Sequence, residues 1–133
     1  EELCQALPFK VNSLGYISDT STMVAAYSCA DLFVIPSLED NLPNTIMESM
    51  ACGTPCVGFE IGGIPEMIDH RVNGYVANYK DAGDLANGIQ WVLEHEDRLA
   101  LSDACVKKVQ ENYTEEVVTK QYTALYEKLL KGE

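Results

Sequence analysis

Three observations predict an α/β fold built on a doubly wound parallel sheet. Short apolar runs at 31–35, 55–59 and 75–78 alternate with segments of helical period. Proline and glycine punctuate the joins, as at Pro43, Gly53 and Pro55. The chain has 133 residues, 47% of them hydrophobic, enough for one packed domain without disulfides or a structural metal. Strands that alternate with helices pair in parallel through crossovers, which puts helices on both faces of the sheet.

Taken in chain order, residues 1–8 read as the tail of a helix ending at Pro8, so the chain is expected to begin inside a larger protein. Phe9 to Ile17 alternates and runs apolar, which predicts a first strand. Ser18-Asp19-Thr20-Ser21 offers N-cap residues for a helix over Met23 to Cys29, with Met23, Ala26, Tyr27 and Ala30 on its buried face. A strand near 31–35 follows, then a helix of about 43–51 that Pro43 opens and Gly53 closes. Pro55 to Phe59 forms the next strand, 65–69 a short helix after Gly62-Gly63, and Tyr75 to Asn78 a strand entered through Asn73-Gly74. The remainder is helical. Leu85, Ile89, Val92 and Leu93 keep the helical period, as do Leu99, Leu101, Ala104, Cys105 and Val109, then Val117, Val118, Tyr122, Leu125, Tyr126 and Leu129. Four strands result, and a Rossmann-like sheet commonly has five or six, so one or two are expected on the amino-terminal side. No repeat or flexible linker divides the chain, so residues 1–133 are taken as one unit.

The formal charge of −12 excludes nucleic-acid binding by bulk electrostatics, because such domains carry a positive face toward phosphate. The same charge requires that any anionic ligand be held by backbone amides or by cations from another segment. Five cysteines form an odd set, and most sit among apolar or small neighbours as reduced interior thiols do. Cys52 and Cys56 lack CxxC spacing and have no nearby histidine, so no metal is expected. No apolar run approaches the ~20 residues of a membrane span, and residues 1–4 lack the basic and apolar regions of a leader. The expected location is the cytoplasm, with peripheral attachment to the inner face of the membrane compatible with the sequence.

The chemistry concentrates between Val34 and Val57. A strand delivers Glu39 and Asp40 to its carboxyl end, where open α/β sheets bind ligands. Pro43 then opens a helix whose first amides belong to Asn44 and Thr45, and such a helix start suits an anion such as a diphosphate. Glu48 lies farther into that helix, so two acids of complementary reach are placed to accept hydrogen bonds from sugar and ribose hydroxyls. The plainer reading makes Glu39 and Asp40 a solvated turn, Glu48 an exposed helical acid and Asn44 and Thr45 simple first-turn residues. Gly62 and Gly63 permit close backbone approach to a ligand or merely make a turn. Glu66 suits a helix start, His70 and His95 a surface, and Trp91, Tyr113, Tyr122 and Tyr126 packing positions.

Pro36-Ser37-Leu38-Glu39-Asp40-Asn41-Leu42-Pro43, with Glu48-Ser49-Met50-Ala51-Cys52-Gly53-Thr54-Pro55-Cys56-Val57, resembles the acid-x7-acid motif and glycine-proline strand entry of retaining GT-B glycosyltransferases. From Leu14-Gly15-Tyr16 to the last helix, the chain is similar to the carboxyl-terminal, donor-binding domain of the "glycosyl transferases group 1" family. The resemblance implies sugar transfer from a nucleotide-diphosphosugar by front-face displacement, with retention of configuration and without metal or cofactor. It implies that Asp40 is the catalytic acid that contacts the donor sugar, and that Glu48 binds the ribose hydroxyls. The Asn44 and Thr45 amides would receive the diphosphate, and Glu39, Asn41, Leu42 and Pro43 would complete the donor site. Asp40 stands where the family usually has the longer Glu, and Leu42-Pro43 replaces its frequent Phe-Gly. The family's phosphate-clamping Arg and Lys have no match here. By the same resemblance, a carbohydrate or lipid-linked acceptor would bind a missing amino-terminal domain, and the isolated chain would be inactive.

Two other classes compete. A non-catalytic Rossmann-like nucleotide-binding or regulatory module, such as a receiver, would need an acidic pocket after its first strand, and the region of Leu14-Gly15-Tyr16 has none. An epimerase or phosphorylase of similar architecture would need an added acid/base set or a cofactor lysine, and neither pattern is visible.

Overall fold

The structure is a computed structural model that describes residues 7–132. Its elements run α1 (Thr20–Ser28), β1 (Phe33–Ile35), α2 (Asn44–Ala51), β2 (Cys56–Phe59), α3 (Ile64–Met67), β3 (Gly74–Ala77), α4 (Ala82–Leu93), α5 (Arg98–Asn112) and α6 (Glu115–Lys131). The sheet has the order β1-β2-β3 and both pairings are parallel, with Phe33 opposite Cys56 and Cys56 opposite Gly74. Parallel neighbours require crossovers, which α2 and α3 supply, so the carboxyl ends of all three strands lie along one edge. The sheet is an α/β, Rossmann-like sheet of the expected class.

The central strand explains the core. All four β2 residues are buried, as expected for a parallel strand covered on both faces. Cys56 joins one cluster with Ile35, Ile46, Met50, Ile64, Met67, Ile68 and Cys105, contributed by β1, α2, the α3 region and α5. Val57 and Phe59 point the other way and pack with Tyr75, Ala77, Val92 and Leu101, beneath α4 and the start of α5. The period-two alternation of β2 therefore sorts the helices onto two faces.

Caps and punctuation behave as the residue types dictate. Asp19, Asp81, Asp97 and Thr114 each accept a backbone N–H in the first turn of α1, α4, α5 and α6. Gly53 follows the C-cap of α2 with φ +76°, a conformation that glycine adopts without a Cβ penalty. The chain then turns on buried hydrogen bonds: the Ser49 hydroxyl donates to the Thr54 carbonyl at 3.1 Å, and the Thr54 hydroxyl to the Tyr27 carbonyl at 2.7 Å. These two bonds tie α1, α2 and the entry to β2 into one unit.

Three expectations are corrected. Phe9 to Ile17 forms no strand: Phe9, Val11, Leu14 and Tyr16 are exposed, and no described segment pairs with them. A strand needs a neighbour to satisfy its backbone groups, so alternation alone did not suffice, and the described sheet has three strands rather than four. The period of α6 is real, but no residue of that helix is buried, and the Tyr122 and Tyr126 rings lie 6.2 Å apart, tilted at 45°, on an exposed face. Among the cysteines, Cys56 and Cys105 are buried, Cys52 is half-buried and Cys29 is exposed, so the interior reading holds for only part of the set. The helical tail expected over 1–8 and Cys4 lie outside the described residues or at their margin.

Burial pushes the Cys56 and Cys105 thiols up to about 12, from an ordinary value of 9.0. Both groups ionise more readily in the unfolded chain, so the stability they contribute is complete below pH 9 and is lost as pH rises toward 12. The expected result is that iodoacetamide modifies Cys29 in the native protein at pH 8 and reaches Cys56 and Cys105 only after unfolding. Peptide mass mapping checks this, and rapid native labelling of Cys56 would contradict the packing.

Candidate functional site

The site grows from the loops that leave the carboxyl ends of the three strands. The turn after β1 carries Glu39, exposed, and Asp40, half-buried, and then Asn41 and Leu42, both exposed. Pro43 is buried and becomes the N-cap of α2 with φ −69°. A proline there has no side-chain oxygen to offer, and no side chain caps α2, in contrast to the four helices capped by Asp or Thr. Asn44 and Thr45 are exposed on its first turn, and their N–H groups have no acceptor among the described residues.

The loop after β2 explains the glycine pair. The Gly63 N–H donates to the Asn41 carbonyl at 2.6 Å, and a Cβ on Gly62 would overlap the Asp40 carbonyl oxygen. Gly62 also holds φ +53°. The close approach that glycine allows at this place is thus to the backbone of the acidic turn itself. The loop after β3 reaches the same turn, because the Tyr79 hydroxyl donates to the Leu38 carbonyl at 3.1 Å.

Glu48 sits on the exposed side of α2, opposite the buried Ile46, Ser49 and Met50. It faces α1, and the Tyr27 hydroxyl donates to its Oε2 at 3.3 Å. Burial, with the Glu48 charge second, pushes the Tyr27 phenol up to about 12, so it stays a donor throughout the neutral range. The two residues border a cavity of about 370 Å³ whose walls include Ile17, Met23 and Val24, with the polar Ser18, Asp19 and Thr20 along one side. Asp19 is already engaged as a cap: it accepts the Ser21 hydroxyl at 2.7 Å and the Thr22 N–H at 2.8 Å, and the first of these contributes most to lowering its carboxyl below the usual range.

The structure therefore groups the predicted residues in two places. Glu39 to Thr45 cluster at the strand edge and the start of α2, while Glu48 lies about 6 Å farther along the helix, at a rise of ~1.5 Å per residue, and opens into the cavity beside α1. No hydrogen bond joins Asp40 to Glu48. The sequence reading missed Tyr27, assigned to a buried face, and Ile17 to Thr20, read as strand end and cap. Tyr79 was missed as well, because nothing in a linear pattern marks a hydroxyl that reaches forty-one residues back. Among the described residues no group of three or more His, Cys, Asp or Glu is arranged to hold a metal ion. No described helix is long and apolar enough to cross a membrane.

The sequence matches a known family. The family model described as "Glycosyl transferases group 1" matches residues 1–95. The chain belongs to the glycosyl transferases group 1 family. Among its relatives, the Campylobacter jejuni protein named N,N'-diacetylbacillosaminyl-diphospho-undecaprenol alpha-1,3-N-acetylgalactosaminyltransferase is 30% identical over 97% of this chain and 35% of its own length. The structure of sucrose-phosphate synthase from Thermosynechococcus elongatus superposes with a TM-score of 0.75 at 28% identity, over 87% of this chain and 29% of that one. The structure of Anabaena HepE in complex with UDP-glucose gives a TM-score of 0.64 at 26% identity, over 77% of this chain and 29% of that one. The chain spans about a third of the length of the curated relatives it matches, 31% and 35% in two of them. As a member of this family the chain has the Rossmann-like fold of a GT-B carboxyl-terminal domain.

Gly62→Ala tests the packing of the site. The new methyl meets the Asp40 carbonyl and the backbone must hold a left-handed conformation, so a loss of about 2–4 kcal/mol is expected from overpacking and strain together. Urea unfolding measures it, and a stability equal to the parent would mean that the two loops are not in contact.

Proposed function

We propose that this chain is the donor-binding half of a transferase that moves a sugar from a nucleotide-diphosphosugar to an acceptor with retention of anomeric configuration. The observation that carries the reading is Glu48, hydrogen-bonded by Tyr27 at the mouth of an apolar-walled cavity and only about one turn beyond the uncapped start of α2. A nucleoside needs an apolar slot for its base and an acceptor for its ribose hydroxyls. The cavity lined by Ile17, Met23 and Val24 supplies the first and Glu48 the second.

From that anchor the diphosphate extends to the amides of Asn44 and Thr45 and to the Thr45 hydroxyl, where the helix dipole favours negative charge. The sugar then lies against the acidic turn. Asp40 acts on the sugar hydroxyls and the reacting centre, Glu39 shares that contact, and Asn41, Leu42 and Pro43 form the wall. In the reaction the bond between the anomeric carbon and the diphosphate oxygen breaks, the acceptor hydroxyl oxygen bonds to the same face of the sugar, and its proton passes to the departing diphosphate. Charge grows on the departing diphosphate, so the preorganised amides of α2 bind it more strongly as the bond breaks. No metal or cofactor is needed in this scheme.

Relatives support the ligand class. The name of the Campylobacter jejuni protein describes an N-acetylgalactosaminyltransferase acting on a diphospho-undecaprenol-linked sugar, and HepE was crystallised with UDP-glucose. By analogy the acceptor is a carbohydrate or a lipid-linked sugar, bound by a separate amino-terminal domain, with attachment at a membrane surface when the acceptor is a lipid. The phosphate-balancing cations come from a segment upstream of this region, because this chain carries a formal charge of −12. The isolated chain is then inactive.

Thermal shift of the intact protein with UDP-glucose, GDP-mannose and ADP-glucose identifies the donor by selective stabilisation. Removing the ribose contact in Glu48→Ala is expected to weaken that donor about 10- to 150-fold, the equivalent of a charged hydrogen bond worth about 1.5–3 kcal/mol, with the fold retained. An unchanged affinity in the variant would refute the assignment of Glu48.

A further inference from the structure

We infer that Tyr79 is a positioning residue that sets the register of the acidic turn and thereby governs the grip on the donor sugar. The inference rests on the donor-binding reading given above. Among the described residues, two hydrogen bonds reach the turn between β1 and α2 from elsewhere in the chain. One runs from the Gly63 N–H to the Asn41 carbonyl, immediately after Asp40, and the other from the Tyr79 hydroxyl to the Leu38 carbonyl, immediately before Glu39. The two acids are bracketed between these pins. Neither forms an ion pair among the described residues, so their placement depends on where the backbone is held.

The support behind Tyr79 is itself fixed. Asn78 donates its N–H to Asp84 at 2.8 Å, Asp84 accepts the Tyr75 hydroxyl at 2.8 Å, and Asp81 donates its N–H to the Asn78 carbonyl at 3.0 Å. Those bonds also draw the Asp84 carboxyl below its usual range, the Asn78 amide contributing most. The next residue, Lys80, stands in a left-handed conformation with φ +61° and lays its ammonium 4.9 Å from the centre of the Tyr79 ring. Strand β3, helix α4 and the loop between them thus hold one phenol in place, and that phenol ends on the carbonyl beside Glu39. A loop that served only to close the β3–α4 connection would need no such reach. The carboxyl ends of all three strands are connected through this turn, which couples the outermost loop to the sugar-facing acids without its touching the nucleoside cavity at Glu48.

The test separates the two halves of the ligand. In the intact protein, Tyr79→Phe deletes one oxygen and leaves the ring under Lys80. Its affinity for the nucleotide-sugar selected from UDP-glucose, GDP-mannose and ADP-glucose should fall about 3- to 10-fold, the range for one hydrogen bond. Its affinity for the matching nucleoside monophosphate should stay equal to the parent's, and calorimetric titration reads both. Equal weakening of the two ligands would reveal a general structural effect and overturn the inference, as would no weakening of either. If the parent binds none of the three nucleotide-sugars, the donor reading fails and this inference falls with it; if the parent binds and the variant matches it, only the role of Tyr79 fails.

Discussion

The site depends on one constraint, the backbone-to-backbone contact between the turn after β1 and the glycine pair after β2. The Gly63 N–H bonds to the Asn41 carbonyl, and Gly62 lies so close to the Asp40 carbonyl that a side chain has no room. Parallel strands bring their exits to one edge of the sheet, but they do not by themselves make those exits touch. Contact without intervening side chains turns these two loops into one shaped surface, and Glu39 and Asp40 ride on it. The start of α2 is placed by the same turn, since Pro43 is both the last residue of the loop and the N-cap of the helix.

Helix α2 has two jobs that its sequence keeps apart. Ile46, Ser49 and Met50 face inward, where Ile46 and Met50 join the core and the Ser49 hydroxyl donates to the Thr54 carbonyl. Glu48 faces α1 on the opposite side, where Tyr27 donates to it beside an open cavity. Tyr27 also lends its own carbonyl to Thr54, so the donor that orients Glu48 is anchored by the turn that closes α2. Packing and ligand chemistry share one short helix, and the rigidity of the first supports the second.

Much of this was legible in the sequence. Pro43, Gly53 and Pro55 fix where α2 and β2 begin and end because proline and glycine restrict or free the backbone locally, without help from the rest of the fold. The apolar runs that became β1, β2 and β3 were legible for a related reason, since burial on both faces needs unbroken hydrophobic sequence. The segment from Phe9 to Ile17 has the same local pattern but no neighbouring strand, and α6 has helical period with few partners to cover its stripe. Both errors share a cause: periodicity reports which face is apolar, and says nothing about whether another element lies against it. The cavity beside Glu48 and the bond from Tyr79 to Leu38 were invisible because they join residues far apart in sequence through single hydroxyl groups.

The central claim is that one ligand spans from the Glu48 cavity to the acidic turn across the start of α2. A crystal structure of the intact protein with an unreactive nucleotide-diphosphosugar analogue tests it most directly. The account predicts the ribose against Glu48, the diphosphate on the Asn44 and Thr45 amides and the sugar within hydrogen-bond reach of Asp40 or Glu39. A ligand bound with its nucleoside outside the cavity between α1 and α2, or with its sugar turned away from residues 39 and 40, would contradict it.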